Sequence, residues 1–204
     1  MKVDSTGFSD SYVMSLTLSN EHEHLAMRSL LTMVLACASA ALLQLASGRR
    51  NLRDSLPVRG GIDVGPGIKS NGDLFSSATA KVAVLEKKAD FPRILVGDDF
   101  RRMLSSYVHR SSPDATGQIQ ASIATRVGAL LYQDADDGLW AVDFLGEAFR
   151  DLAAGRLPRD VIEGVWRFVQ ACQDHFKHDK KLGPRYNRLA RYVSERLQVW
   201  GVSP

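Results

Sequence analysis

The side chains that could do chemistry concentrate between Leu56 and Phe100 of this 204-residue chain. The stretch begins Leu56-Pro57-Val58-Arg59-Gly60-Gly61-Ile62-Asp63-Val64-Gly65-Pro66-Gly67 and continues with Asn71-Gly72-Asp73-Leu74-Phe75. Glu86 and then Pro92-Arg93-Ile94 follow. Arg93, after a proline at the mouth of a strand, is of the type that binds a phosphate or closes a structural salt bridge. Asp63 falls mid-strand, where an unpaired carboxylate is costly, so it should pair with Arg59 or sit exposed at an edge. Asp73 follows Asn71-Gly72 and also has the residue type of a plain turn. Gly65-Pro66-Gly67 is not a phosphate loop, because the lysine and serine or threonine of that motif are missing. His22 with His24, and His175 with His178, carry chelating rings but lack the context of a zinc motif, so surface histidines are expected. Asp134 to Gly138 has too few correctly spaced ligands for a calcium loop. No serine–histidine–aspartate or cysteine–histidine set can be argued from spacing.

The elements that must position these groups are legible as alternating patterns. Phe8 to Leu18 reads as a strand pair or one bent strand, with Tyr12, Val13, Met14, Leu16 and Leu18 apolar. Asn20 can cap a helix that runs to about Ser47, with Glu21 and Glu23 at its positive end. Pro57 to Val64 reads as a strand, and its two glycines predict close approach by a neighbour. The spacing predicts a helix over Ser76 to Lys88, a short strand over Ile94 to Val96, and a helix from Asp98 to about Tyr107. Ser111 to Gly117 reads as a polar loop. Val127 to Tyr132 and Leu139 to Leu145 read as a hairpin turning at Asp134 to Gly138. The remainder reads as helical, with breaks near Gly155 to Pro158 and at Gly183-Pro184, and the basic stretch from Lys177 to Arg196 as a solvated face. Trp140, Trp166 and Trp200 fall at apolar positions and should pack on the core. The mixture predicts an α+β domain, helices on a mostly antiparallel sheet.

Composition sets outer bounds. A hydrophobic content of 45% with 24% charged residues is that of a folded globular chain rather than a disordered one. The net charge of +3 suits a small anionic ligand, and the scattered basic residues give no footprint for nucleic acid. Cys37 and Cys172 match no metal spacing and predict buried free thiols in a reducing cytoplasm. Leu30 to Ala46 is nearly all apolar, but slightly short for a membrane span and interrupted by Thr32, Ser39 and Gln44. A core or interface helix is the better-supported reading. The start of the chain shows no signal-peptide pattern, and a cytoplasmic location is expected.

The order of these motifs resembles the central part of class III nucleotide cyclases. Val58 to Gly65 looks like the cyclase strand before the dimer-forming turn, Asn71 to Phe75 like the next hairpin element, and Glu86 with Pro92-Arg93-Ile94 completes the pattern. Phe8-Ser9-Asp10-Ser11 looks like the tight turn bearing one metal-binding aspartate. Asp136-Asp137-Gly138 through Phe144-Leu145, and Arg185-Tyr186-Asn187, resemble a bacterial subgroup that includes the pyrimidine cyclases of anti-phage defence.

The resemblance implies a ferredoxin-like core, with 1–110 as the cyclase homology part and 111–204 as a C-terminal hairpin and helices completing the same domain. It implies cyclisation of a nucleoside triphosphate by a homodimer with Mg2+ or Mn2+. Hard cations take carboxylate oxygens, so two aspartates should meet at the metals. Asp10 is the first, and Asp4, in an aspartate–x–x–glycine–phenylalanine–serine run, is the second candidate. Arg59 and Arg93 are implied near the phosphates, and Asp73 and Phe75 at the base. The chain departs from the family at three points. The strand that carries the other metal aspartate is expected well before Asp10 and has no counterpart, which implies a core incomplete at its N-terminus. Thr6 stands where adenylyl cyclases hold a purine-reading lysine. Ala80 and Val84 stand where an asparagine and an arginine stabilise the reacting ribose and phosphate.

Overall fold

The computed structural model describes residues 3–8, 11–16, 23–47, 58–70, 73–109, 114–154 and 157–203. The chain opens with strands β1 (Val3–Phe8) and β2 (Ser11–Leu16), which form a two-stranded antiparallel hairpin. Helix α1 (Glu23–Ser47) follows. Strand β3 (Gly60–Ile62), the hairpin β4 (Gly67–Ser70) and β5 (Asp73–Ser76), helix α2 (Ser77–Lys88) and strand β6 (Ile94–Val96) make up the glycine-rich stretch. Helices α3 (Asp98–His109) and α4 (Ala115–Ala129) lead into the hairpin β7 (Leu131–Gln133) and β8 (Trp140–Val142). A short turn of helix, α5 (Glu147–Phe149), runs on into a π-helical segment, Arg150–Ala154. Helices α6 (Arg159–Phe176) and α7 (Leu182–Arg196) and a final 3-10 turn, Leu197–Trp200, close the fold.

The architecture is α+β, as expected. The central sheet has the order β3-β6-β8-β7 and is mixed, with antiparallel pairs in the majority as expected: β3 and β6 are parallel, and the other two pairs are antiparallel. The parallel pair follows from the chain path, since a helix crosses between β3 and β6. All three residues of β6 are buried, as a strand covered on both faces requires. Ile62, Ile94, Val96 and Val142 face the main core, where they meet α1, α3, α4, α6 and α7. Leu95 and Ala141 face the other side, with Ala89, Leu85 and Leu139.

Helix α1 buries a stripe of Met27, Leu30, Val34, Ala38, Ala41, Leu42 and Leu45 at three- and four-residue spacing. That stripe packs on α4 and α6, which matches the expected core helix. Met27–Ser47 is also the one described helix long and apolar enough to cross a membrane by length and composition. Trp140, Trp166 and Trp200 pack against the core, and Trp200 Nε1 donates to the Leu145 carbonyl at 2.9 Å.

Several boundaries differ from the sequence reading for local reasons. The first strand pair begins at Val3 rather than Phe8. The strand expected over Pro57 to Val64 is ordered as β only at Gly60–Ile62. Val127, expected to open a strand, ends the buried stripe Gly117, Gln120, Ile123, Ala124 and Val127 of α4, whose period is helical. Asp114 caps α4 and accepts from Gly117 N at 2.7 Å. Asp114→Ala should therefore cost about 1 kcal/mol, read as a shifted denaturant midpoint. Gly183-Pro184 does not break the chain but lies in the first turn of α7, where proline's missing N–H has no partner to lose. The break precedes it, where Asp179 accepts from Lys181 N and Leu182 N, both at 2.8 Å.

Cys37 is partly buried and Cys172 buried, both as free thiols. Burial pushes the Cys172 thiol up to about 11. At pH 8 it is a poor nucleophile, so alkylation by iodoacetamide should be at least about tenfold slower in folded than in urea-unfolded protein. Equal rates would show that the α6–α7 contact opens freely.

Candidate functional site

The two ends of the parallel pair β3–β6 carry different chemistry. At the carboxyl end, Asp63 leaves β3 and turns inward. Its Oδ1 accepts from its neighbour Val64 N at 2.9 Å and from Phe100 N, in the first turn of α3, at 2.9 Å. Asp63 is therefore a helix cap, not the Arg59 partner or exposed edge residue expected from the sequence. Gly97 leaves room for it: a Cβ there would lie 2.2 Å from Asp63 Cγ. Ser76 caps α2 in the same way, accepting from Ala78 N at 3.1 Å. Gly65 lies against this helix start, where a Cβ would come within 2.4 Å of Ser77 Oγ. Helix N-termini at strand ends are the usual anion sites of α/β units. Here each has an amide engaged by the chain's own side chain.

Lys81 on α2 pairs with Asp99 on α3, and Asp99 also accepts from Arg102. The mutual hydrogen bond holds the Lys81 ammonium above its ordinary value and the Asp99 carboxyl below its own. Both groups therefore stay charged at neutral pH.

The two arginines lie at the amino end, Arg59 just before β3 and Arg93 just before β6, with Gly60 N donating to Arg93 O at 3.1 Å. Their side chains are used differently. Arg59 is exposed, reaches Glu86 at 3.0 Å and donates to the Ala89 carbonyl at 3.4 Å. Arg93 is 1% exposed. Its Nη1 donates to Asp134 Oδ2 at 2.9 Å and its Nη2 to Asp90 Oδ1 at 3.1 Å, while Asp137 takes both Nη atoms. Arg188 from α7 enters the same cluster, contacting Asp90, Asp134 and Asp137. Arg191 pairs with Asp136. The Arg93 and Arg188 guanidinium carbons lie 4.4 and 4.8 Å from the ring centre of buried Phe91.

Burial pushes the Asp137 carboxyl up, and hydrogen bonds from Arg93 and Arg188 more than reverse this, leaving it well below the ordinary carboxylate range. The terminal nitrogens of Arg93 are all taken by aspartates, so a phosphate there must displace them. Its Nε is buried and finds no hydrogen-bond partner among the described residues.

The sequence reading missed this network because its partners lie up to 98 residues apart. The available signal was complementary charge: Asp134, Asp136 and Asp137 in one turn, and Arg188, Arg191 and Arg196 on one helix. Instead of a solvated face, α7 turns these arginines onto carboxylates. Arg196 binds Asp143 at 2.6 Å and lies against the rings of Tyr132 and Tyr192.

The remaining sequence-selected residues are only partly placed. Asp73 and Phe75 lie in β5, in register with Ser70 and Ile68. Asp10 lies outside the described residues. Asp4 lies in β1, opposite Ser15. Among the described residues, no cluster of three histidine, cysteine or carboxylate groups is placed to hold a metal. Ala80 and Val84 lie on the outward face of α2, with Val84 52% exposed.

Arg59 is the arginine that can be tested cleanly. Its ion pair is solvent-exposed, so Arg59→Ala should change stability by less than about 1 kcal/mol. Any loss of nucleotide binding by that variant, measured by calorimetry, then reports on the ligand rather than on folding. No family model, curated protein or solved structure matches the chain.

Proposed function

We propose that the chain is a class III cyclase homologue that acts on a nucleoside triphosphate as a homodimer. The observation that carries this reading is the order of elements from Gly60 to Val96. A glycine strand, a hairpin, a capped helix and a short strand succeed one another as the resemblance implies, within an α+β fold. A ferredoxin-like arrangement of the core belongs to the same reading. A second copy is supported by the surface of this unit. Helix α2 has no fully buried residue although it is rich in alanine, valine and leucine, and Ile68 on β4 is 72% exposed.

The reaction class is attack of the ribose 3′-hydroxyl on the α-phosphate with loss of pyrophosphate. Mg2+ or Mn2+ would supply charge neutralisation and activation of the hydroxyl when bound. Asp10 is the carboxylate assigned to it. Asp4, in β1, is the second candidate for the same ion. Arg59, whose pairing with Glu86 is solvent-exposed, is the arginine assigned to a phosphate, and Asp73 and Phe75 are the residues assigned to the base.

A second reading, a catalytically silent nucleotide- or protein-binding module, is favoured by two observations. Arg93 is committed to aspartates, and Ala80 and Val84 offer α2 no polar group for the ribose or phosphate. Incubation with ATP, GTP, CTP and UTP plus manganese, followed by mass spectrometry, separates the two. The cyclase reading expects one cyclic monophosphate, abolished by Asp10→Ala. No product from any of the four, with nucleotide binding retained, establishes the silent module.

A further inference from the structure

Strand β3 is an edge strand. Its inner side is fully used, with Gly60 N donating to Arg93 O at 3.1 Å and Ile62 O accepting from Gly97 N at 2.8 Å. Backbone groups alternate along a strand, so the N–H and C=O of Gly61 point away from β6. The sheet order ends at β3, and no described strand pairs with that outer side.

Folded proteins shield such edges with lysine, proline, bulges or a covering segment. Among the described residues no strand covers this edge. Gly60 and Gly61 project no side chain. Arg59 is drawn to Glu86, and Asp63 is turned onto α3. Gly61 cannot acquire a shielding side chain either, because a Cβ there would lie 2.7 Å from Leu85 Cβ and 2.9 Å from the Val82 carbonyl.

The chain holds a segment in the complementary condition. The β1–β2 hairpin is a ladder of its own, joined to no other described strand. An isolated two-stranded hairpin is marginal in water and needs a further strand or a packing surface. Two residues separate Phe8 from Ser11, and such a loop is closed by a hydrogen-bonded pair. Thr6 and Asp4 are then the next bonded positions, which leaves the backbone groups of Val3, Ser5 and Gly7 on the outer edge of β1.

We infer that β1 docks on the outer edge of β3 of the same chain, completing a six-stranded sheet of order β2-β1-β3-β6-β8-β7. Connectivity fixes the direction. Helix α1 lies on the face of the sheet that carries Ile62 and links β2 to β3, so those two strands run parallel. β1 opposes β2 and therefore runs antiparallel to β3. The six residues 17–22 reach at most about 20 Å, so α1 holds the hairpin close to the sheet. Antiparallel docking sets the first residues of β1, Asp4 among them, beside the end of β3 that Asp63 follows. The hairpin thereby joins the edge from which α2 and α3 start.

The test is NMR on the full chain. Docking predicts Hα–Hα contacts between β1 and β3 and a Gly61 amide that exchanges at least about 100-fold more slowly than in an unstructured peptide. Ser5→Pro removes an outward donor of β1 without touching its bonds to β2. In that variant Gly61 should exchange at least tenfold faster, while Leu95 in the sheet centre stays protected. A freely exchanging Gly61 amide in the unmodified protein overturns the inference. So do β1–β3 contacts seen only between differently labelled copies, which would mean exchange of hairpins between chains. If Ser5→Pro also exposes Leu95, the variant has unfolded, and the contacts in the unmodified protein decide.

Discussion

Arg93→Ala lowers the stability of the fold by about 3–5 kcal/mol, measured as a fall in the urea midpoint. The magnitude comes from what is left behind. Arg93 is 1% exposed, and its removal leaves the carboxylate of Asp134, 8% exposed at its side chain, with Arg188 at 3.2 Å for its charge and the Asp136 N–H at 2.9 Å. Asp137 loses its two-pronged partner, and Phe91 loses one of two guanidinium groups over its ring. Removing one member of a buried ion cluster costs more than the cluster contributes, because the uncompensated charge stays in a poorly hydrated place.

Arg93→Lys keeps the charge but loses the fork that holds Asp134, Asp90 and Asp137 together, and should fall between wild type and alanine. A midpoint unchanged in Arg93→Ala would show that water reaches the cluster and that the burial is not felt. The prediction also guards the activity assay. Loss of product in Arg93→Ala is expected from unfolding alone, so a phosphate role must be sought at Arg59.

The same network sets an acid limit. Asp136 and Asp137 are held below their ordinary values in the folded state, Asp136 first by its hydrogen bond from Arg191. Groups with depressed pKa bind fewer protons folded than unfolded. Their contribution is full above the unfolded value, near pH 4, and is lost as pH falls through the lower folded values. Stability should be flat from pH 7 to about 5 and drop steeply below about 4. Arg191→Ala should flatten that drop.

Gly97→Ala lowers stability by about 3 kcal/mol, at the upper end of overpacking costs. A Cβ at Gly97 would meet Asp63 Cγ at 2.2 Å and both carboxylate oxygens at 2.6 Å or less. Asp63 cannot simply swing aside, because its Oδ1 holds Phe100 N. Accommodating the methyl therefore releases the cap of α3, and with it the seat of fully buried Phe100. Asp63→Ala alone should cost about 1 kcal/mol as a lost cap. The double variant should be more stable than Gly97→Ala, since the clashing group is gone. An additive double variant would mean that the glycine is required for another reason.

Local order was readable from the sequence wherever it depended on neighbours in the chain. The three-and-four spacing of Leu30, Val34, Ala38 and Leu45 specifies a helix with one buried stripe, and Ile94–Val96 specifies a covered strand. The hairpin turning over Asp134 to Gly138 was equally legible, because its turn residues are local. The end of α4 at Ala129 is also legible in the helical period of Gln120, Ile123 and Val127, which outweighs the apolar run Leu130-Leu131-Tyr132 that follows.

What the tertiary structure decided was the use of each charged group. Arg59 and Arg93 are equivalent by type and stand just before the parallel strands β3 and β6. One keeps contact with water and the other is enclosed by three carboxylates, Asp90 beside it and Asp134 and Asp137 from the β7–β8 turn. Asp63 has a cap for a partner 37 residues away. Long-range electrostatic partners leave no periodic trace in a sequence, since any arginine satisfies any aspartate until packing selects the pair. Burial then makes the selection permanent, because a charge removed from water must keep the partner that entered with it.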